Sequence, residues 1–174
     1  MNHNRPETLE HAPLGRESAY PEHYDAGLLY PIPRAANRAP LGIEEGRLPF
    51  VGEDEWHAFE VSWLNGRGKP LVAVARFRLP AESPNLIESK SWKLYLNSFN
   101  QTRFDSREQV IETLERDLAQ AAGAPVAVEL FDVDDAVLAV CRLPGECLDE
   151  LDIEIDDYTP SAEHLEAGEE IVEE

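Results

Sequence analysis

The chain has 174 residues and a formal net charge of −20, from 35 acidic and 15 basic side chains. A surface this negative repels phosphate backbones and anionic membranes, which argues against nucleic acid or a membrane as a partner. Two cysteines are too few for a disulfide scaffold, and no apolar run approaches the ~20 residues of a membrane-spanning helix. The first residues also lack the apolar core of a secretion signal, so we expect a cytosolic protein.

The acidic excess is concentrated near the end of the sequence. Residues 146–174 contain 13 of the 35 acids and no Lys or Arg. Within them, residues 151–155 alternate apolar and acidic side chains, which predicts a half-exposed strand. Residues 159–174 have no sustained apolar face, and we expect them to form a solvated linker or tail.

The first 50 residues are rich in proline, with 7 of the 13 prolines of the chain. Proline fixes φ and donates no backbone hydrogen bond, which excludes a long helix or a central strand. The segment still carries large apolar side chains, among them Tyr24, Leu28 and Ile32. We therefore expect residues 1–50 to form an arm packed on a body of residues 51–158.

The body begins with a predicted β-hairpin. Residues 57–63 and 71–79 alternate in polarity, and Asn65-Gly-Arg-Gly68 between them tolerates positive φ. In the first strand, we expect one face to carry Phe59, Val61 and Trp63 and the other face to carry Glu60 and Ser62.

Two helices and two further strands are predicted next. Asn85 and Glu88 have the spacing of a capping box, and the stripe that follows consists of Trp92, Tyr95, Leu96 and Phe99. A second helix is predicted from residues 105–106 to Gly123, with a core face of Val110, Ile111, Leu114 and Leu118. Strands are predicted at 125–131 and 136–142. The resulting order, β-β-α-α-β-β, predicts an α+β fold with an antiparallel sheet and two helices on one face.

The densest polar cluster lies at the start of the first of these helices, at residues 88–91, Glu-Ser-Lys-Ser. A helix N-terminus offers backbone N–H groups and the positive end of a dipole, so this cluster suits a phosphate. Pattern alone favours the other interpretation, a capping box with solvated lysines. Glu88 is open to two interpretations, because a carboxylate can cap a helix or accept two N–H groups from a guanine-like edge.

No metal site is predicted. Cys141 and Cys147 are six residues apart and have no histidine nearby, whereas zinc sites usually pair their ligands more closely. The chain also lacks a glycine-rich nucleotide-binding loop and a nucleophile elbow.

Residues 87–99, IESKSWKLYLNSF, resemble the signature of the QueF family, the NADPH-dependent 7-cyano-7-deazaguanine reductases of queuosine biosynthesis. Further matching segments are DAGLL (25–29), NRAPLG (37–42), EVSWLN (60–65), NQTRF (100–104), LERDL (114–118) and DIEID (152–156). The resemblance covers almost the whole chain and is to the N-terminal module of the two-module type. It implies a tunnelling fold (T-fold), in which Ile87, Glu88 and Ser89 contact the deazaguanine and Ser89 and Lys90 contact NADPH.

The family reaction converts a nitrile to a primary amine with two NADPH molecules, through a cysteine thiolate and an aspartate proton donor. In the two-module type, that cysteine and aspartate belong to the C-terminal module, and neither cysteine here matches the nucleophile's surroundings. We therefore expect this chain to be inactive alone, to work with a C-terminal module, and to form homo-oligomers. The alternatives are a non-catalytic T-fold module that binds a deazapurine or NADPH, and an interaction protein acting through its acidic tail.

Overall fold

The computed structural model of the protein describes residues 20–44, 46–135 and 149–161 and the single positions 140, 142, 147 and 163. The chain divides into two compact units, Met1–Ala139 and Val140–Glu174. All the regular helices and strands discussed below belong to the first unit. Within the described residues, no helix is both long enough and apolar enough to span a bilayer.

The predicted hairpin is present and forms the centre of the fold. Strands β2 (Glu53–Leu64) and β3 (Pro70–Pro80) pair antiparallel. The Asn65 side-chain oxygen accepts two backbone N–H groups within the turn, at 3.0 Å each. Gly68 has φ of 82°, in the left-handed region that favours glycine. These groups specify the turn, as the Asn-Gly-Arg-Gly sequence predicted.

A β-bulge changes which side chains of β2 face the core. The register pairs Ala58 with Ala75 and Val61 with Ala73, so β2 has one extra residue between them. An extra residue reverses the alternation of side chains. As a result Val61 is 1% exposed but Phe59 is 77% exposed. The prediction that Phe59 shares a face with Val61 and Trp63 was wrong.

Two longer helices follow the sequence pattern. Helix α2 spans Ser89–Asn97 and helix α3 spans Arg107–Ala122. The Ser106 side chain caps α3 by accepting the N–H of Gln109, and Gly123 ends the helix with φ of 74°. The predicted start and end of this helix are confirmed.

A second, two-stranded sheet joins the proline-rich segment to the start of α2. Strand β1 (Pro31–Pro33) precedes a short helix α1 (Arg34–Arg38) and pairs antiparallel with β4 (Asn85–Ile87). Asn85 therefore lies in a strand, and its side chain donates to the carbonyl of Ala121 at 3.1 Å. The prediction that Asn85 caps α2 was wrong, because the chain is still extended at that residue.

The last described strand, β5 (Ala127–Phe131), pairs antiparallel with β3 and completes a three-stranded sheet in the order β2-β3-β5. One hydrophobic core joins the sheet to α2 and α3. Its fully buried large side chains are Val61, Phe77, Leu79, Ile87, Tyr95, Phe99, Val110, Leu114 and Leu118. The fold is thus α+β with antiparallel sheets, as predicted.

Two further strands were predicted after β5. The strand at 136–142 falls mostly on residues outside the described ones, so the full β-β-α-α-β-β order stays a prediction. Residues 151–158 are described and are exposed and irregular. The N–H of Ile153 bonds to the carbonyl of Leu151, a local turn that a strand could not contain. The strand predicted at 151–155 was therefore wrong.

Candidate functional site

Glu88 lies between β4 and α2 and is 4% exposed. Its Oε1 accepts the backbone N–H of Lys90 at 2.9 Å, and its Oε2 accepts that of Ser91 at 2.6 Å. Glu88 is therefore the N-cap of α2 itself, instead of a partner to a cap at Asn85. A carboxylate offers about four acceptor positions. Two of these positions are used in capping, so the carboxylate can still accept further hydrogen bonds.

These capping contacts occupy backbone N–H groups that the sequence analysis assigned to a bound phosphate. The backbone N–H groups of Lys90 and Ser91, which were expected to face an anion, donate to the Glu88 carboxylate. A negative group of the protein thus stands where those donors would have met a phosphate. The Ser89 and Lys90 side chains are half-buried and are the remaining polar groups of the predicted cofactor contact.

Glu88 is also held from the side of the proline-rich segment. Its backbone N–H donates to the carbonyl of Tyr30 at 2.9 Å. The Ser91 hydroxyl donates to the Glu88 carbonyl at 2.6 Å and accepts the N–H of Tyr30 at 3.0 Å. Sequence reasoning missed these contacts, since Tyr30 and Ser91 are 61 positions apart and neither stands out in a pattern. Hydrogen bonds therefore fix both the backbone and the side-chain carboxylate of Glu88.

The predicted contact residues are not equally accessible. Ile87 is 0% exposed and belongs to the hydrophobic core. Ser89 is half-buried and lines a cleft of about 420 Å³ between the bulged part of β2 and α2. The structure therefore brings Ile87, Glu88, Ser89 and Lys90 together at one junction, with only Ser89 of the four lining that cleft.

The cleft has an aromatic wall and a polar rim. The Trp56 and Trp92 rings lie 5.0 Å apart between centroids, and the Trp92 and Phe77 rings lie 5.1 Å apart. The polar residues of the lining are His57, Glu60, Ser89, Lys93, Asn97 and Asn100. The Trp92 indole N–H is buried and has no hydrogen-bond acceptor among the described residues. The sequence pattern predicted Trp92 only as part of the apolar stripe of the helix and gave no indication of the cleft.

Behind α2, a buried carboxylate ties the helix to α3 and to the proline-rich segment. Asp117 is 5% exposed, and its Oδ2 accepts the hydroxyls of Tyr24 at 2.5 Å and Tyr95 at 2.8 Å. Arg116 donates to the other oxygen at 2.9 Å. Burial, and then the hydrogen bond to Asp117, raise the pKa of Tyr95 and of Tyr24. Both phenols therefore ionise less readily than a free tyrosine.

The described residues contain no group of three or more His, Cys, Asp or Glu side chains placed to hold a metal ion. Cys147 is described and is a free, exposed thiol. Cys141 lies outside the described residues.

Residues 20–130 match the family model described as nitrile reductase, 7-cyano-7-deazaguanine-reductase N-term. The chain belongs to this family. The match includes Glu88, its capping contacts and the cleft, and it confirms the resemblance of the 87–99 segment to the QueF signature.

Named relatives agree with the family match. The chain is 76% identical over 170 residues to the NADPH-dependent 7-cyano-7-deazaguanine reductase of Chromohalobacter salexigens, covering 98% of this chain and 61% of the relative. It is 53% identical over 169 residues to the reductase of the same name from Bordetella pertussis, covering 95% and 62%. The corresponding protein of Chromobacterium violaceum is 52% identical over 161 residues, covering 92% and 58%. The chain thus spans about three fifths of the length of these relatives.

Proposed function

We propose that this chain is the N-terminal module of an NADPH-dependent reductase that converts 7-cyano-7-deazaguanine to 7-aminomethyl-7-deazaguanine in the cytosol. The family match over residues 20–130 and the names of the relatives support this assignment. The T-fold is part of the same proposal, and the antiparallel β2-β3-β5 sheet with α2 and α3 packed on it is compatible with it.

In this proposal Glu88 anchors the deazaguanine ring. The observation that carries it is the buried carboxylate fixed by two backbone N–H groups. Those bonds hold the carboxylate in one orientation, and each of its oxygens retains a lone pair. A guanine-like edge presents a ring N–H beside an amino group, and two adjacent acceptors fit that edge in parallel. Ile87 and Ser89 flank Glu88 and are assigned to the same contact.

Ser89 and Lys90 are assigned to the cofactor. When bound, NADPH supplies hydride to the substrate. The Ser89 hydroxyl can donate to a phosphate oxygen, and the Lys90 ammonium contributes a positive charge close to the Glu88 carboxylate. With two helix N–H groups already bonded to Glu88, side chains become the main phosphate contacts at this junction.

A module carrying the cysteine nucleophile and the aspartate proton donor would complete the reaction. We propose that this chain works with such a C-terminal module and assembles further into homo-oligomers. The domain division at residues 50 and 158 belongs to the same proposal, with the proline-rich arm joined to the body through β1 and β4.

The decisive experiment compares the affinity of 7-cyano-7-deazaguanine for wild type and Glu88→Gln, with the C-terminal module supplied and NADPH absent. Glutamine accepts one N–H and presents a donor to the other, so one of the two pairings becomes repulsive. We expect a loss of roughly 10- to 150-fold, the cost of a charge-assisted hydrogen bond in a buried site.

Because Glu88 also caps α2, affinities are measured only at temperatures where the melting curves show both proteins folded. Glu82→Gln, at an exposed glutamate, is the matched control and keeps wild-type affinity. Equal affinities for wild type and Glu88→Gln would remove the anchor role. The non-catalytic alternative predicts the same binding but no amine product when the C-terminal module and NADPH are present.

A further inference from the structure

We propose that Ser91 is a positioning residue, through which the proline-rich segment holds Glu88 in the orientation that the substrate requires. The inference rests on the proposed function, because it concerns the anchoring of the deazaguanine ring by Glu88. Ser91 is 0% exposed and does not line the cleft, so it is assigned no contact of its own with substrate or cofactor. Its effect on substrate binding is therefore expected to come through Glu88.

Tyr30, Ser91 and Glu88 form a closed ring of hydrogen bonds. The N–H of Tyr30 donates to the Ser91 hydroxyl oxygen at 3.0 Å, and that hydroxyl donates to the Glu88 carbonyl at 2.6 Å. The Glu88 N–H closes the ring by donating to the Tyr30 carbonyl at 2.9 Å. Both backbone groups of Glu88 are thus tied to one residue of the proline-rich segment. The Ser91 hydroxyl is the member of the ring that a substitution can remove.

The ring holds the backbone from which the anchoring side chain extends. Glu88 has φ of −65° and ψ of 131°, and in this conformation its carboxylate reaches the N–H groups of Lys90 and Ser91. The helix itself holds the Glu88 carbonyl, which accepts the Trp92 N–H at 3.0 Å. The Glu88 N–H precedes the helix, however, and its position depends on Tyr30.

Small displacements of this backbone matter for binding. A group that binds a ligand has to be held within about 0.5 Å of its productive position. A shift of the Glu88 backbone relative to α2 moves both carboxylate oxygens, and it therefore misaligns two parallel hydrogen bonds to a ring edge at once. Removing the Ser91 hydroxyl takes away the acceptor of the Tyr30 N–H and so loosens the segment that holds the Glu88 N–H.

Ser98, at the other end of α2, offers a matched comparison. Its hydroxyl donates to the Tyr95 carbonyl at 2.6 Å and accepts the N–H of Asp25 at 3.2 Å. Ser98 is also 0% exposed. Ser91 and Ser98 therefore make the same two kinds of bond, one to a carbonyl three residues earlier and one to the proline-rich segment. Their structural roles match, but only Ser91 is bonded to Glu88.

The test compares Ser91→Ala with Ser98→Ala, each in the whole 174-residue chain with the C-terminal module supplied. The affinity for 7-cyano-7-deazaguanine is measured without NADPH, at a temperature where melting curves show every variant folded. We expect Ser91→Ala to weaken binding roughly 2- to 12-fold, the effect of losing one hydrogen bond. Ser98→Ala should bind as wild type, although both variants should lower the urea midpoint of unfolding by similar amounts.

A double-mutant cycle shows whether Ser91 acts through Glu88. If it does, Ser91→Ala combined with Glu88→Gln should bind no more weakly than Glu88→Gln alone, because the anchor is already impaired. A loss that adds in full to that of Glu88→Gln would mean that Ser91 contributes independently of Glu88, and it would contradict the proposal.

Ser91→Cys and Ser98→Cys provide the same comparison if an alanine variant does not fold, because a thiol fills the space of the hydroxyl but is a weak donor and acceptor. Equal affinity in wild type and the Ser91 variant overturns the positioning role, and so does an equal loss in the Ser91 and Ser98 variants. If Glu88→Gln still weakens binding in that case, the proposed anchor stands and only Ser91 is wrongly assigned. Absence of nitrile binding by wild type overturns both.

Discussion

Replacing Glu88 by glutamine should destabilise the fold even in the absence of any ligand. If Glu88 were only the capping-box partner of Asn85, the fold would tolerate the change, because glutamine serves in that position nearly as well as glutamate. The structure shows a different arrangement, in which both oxygens of one buried carboxylate accept backbone N–H groups, from Lys90 and Ser91. Glutamine has only one oxygen, so its NH₂ group must face one of these N–H groups.

The size of the effect follows from two contributions. Weakening an N-cap costs about 0.5–2 kcal/mol. A buried N–H left without an acceptor costs about 1–3 kcal/mol, and Glu88 is buried enough for this penalty to apply. These contributions overlap, because they concern the same bonds. We therefore expect the free energy of unfolding to fall by about 2–3 kcal/mol.

Urea titration at constant pH measures this difference without ligand. Glu82→Gln removes the same charge at an exposed position and should change the free energy of unfolding by less than about 0.5 kcal/mol. Glu88→Asp keeps the charge and a good N-cap residue, so it should lie between wild type and Glu88→Gln. A Glu88→Gln protein as stable as the Glu82→Gln control would show that the two N–H contacts do not support α2.

Three other predictions follow from the site and its surroundings. Lys90→Ala should lower NADPH affinity about 10-fold or more but change the free energy of unfolding by less than about 1 kcal/mol, because a cation near a helix N-terminus opposes the dipole. Cofactor titration and urea titration measure the two effects, and a large loss of stability with unchanged NADPH affinity would make Lys90 structural. Asp117→Asn should destabilise by about 2–3 kcal/mol, since the buried Oδ2 accepts both Tyr24 and Tyr95 hydroxyls; an unchanged urea midpoint would contradict it. Because the pKa values of Tyr24 and Tyr95 are raised in the folded state, their contribution to stability should be complete below pH of about 10 and decrease above it, where tyrosines of the unfolded chain ionise more readily. Tyr95→Phe should make that decrease shallower in unfolding measured between pH 7 and 11, and an equally steep decrease would contradict the assignment.

Sequence patterns correctly predicted the elements whose structure depends on contacts between neighbouring residues. The turn at Asn65–Gly68 and the ends of α3 at Ser106 and Gly123 depend on side-chain caps and positive φ, which can be read from a few adjacent residues. The bulge in β2 could not be predicted in this way. Its position is set by the register with β3, and the sequence of β2 alone alternates without interruption through Phe59.

The error at Asn85 has a similar cause and bears directly on the site. Asparagine is a good N-cap, but pairing of β4 with β1 keeps residue 85 extended. The helix then begins three residues later than the pattern indicated, and the cap passes to Glu88. The same pairing brings Tyr30 against the Glu88 and Ser91 backbone. A contact between distant segments thus decides whether Glu88 is the partner of an N-cap at Asn85 or the N-cap itself. Only as the N-cap does Glu88 have both carboxylate oxygens bonded to backbone N–H groups.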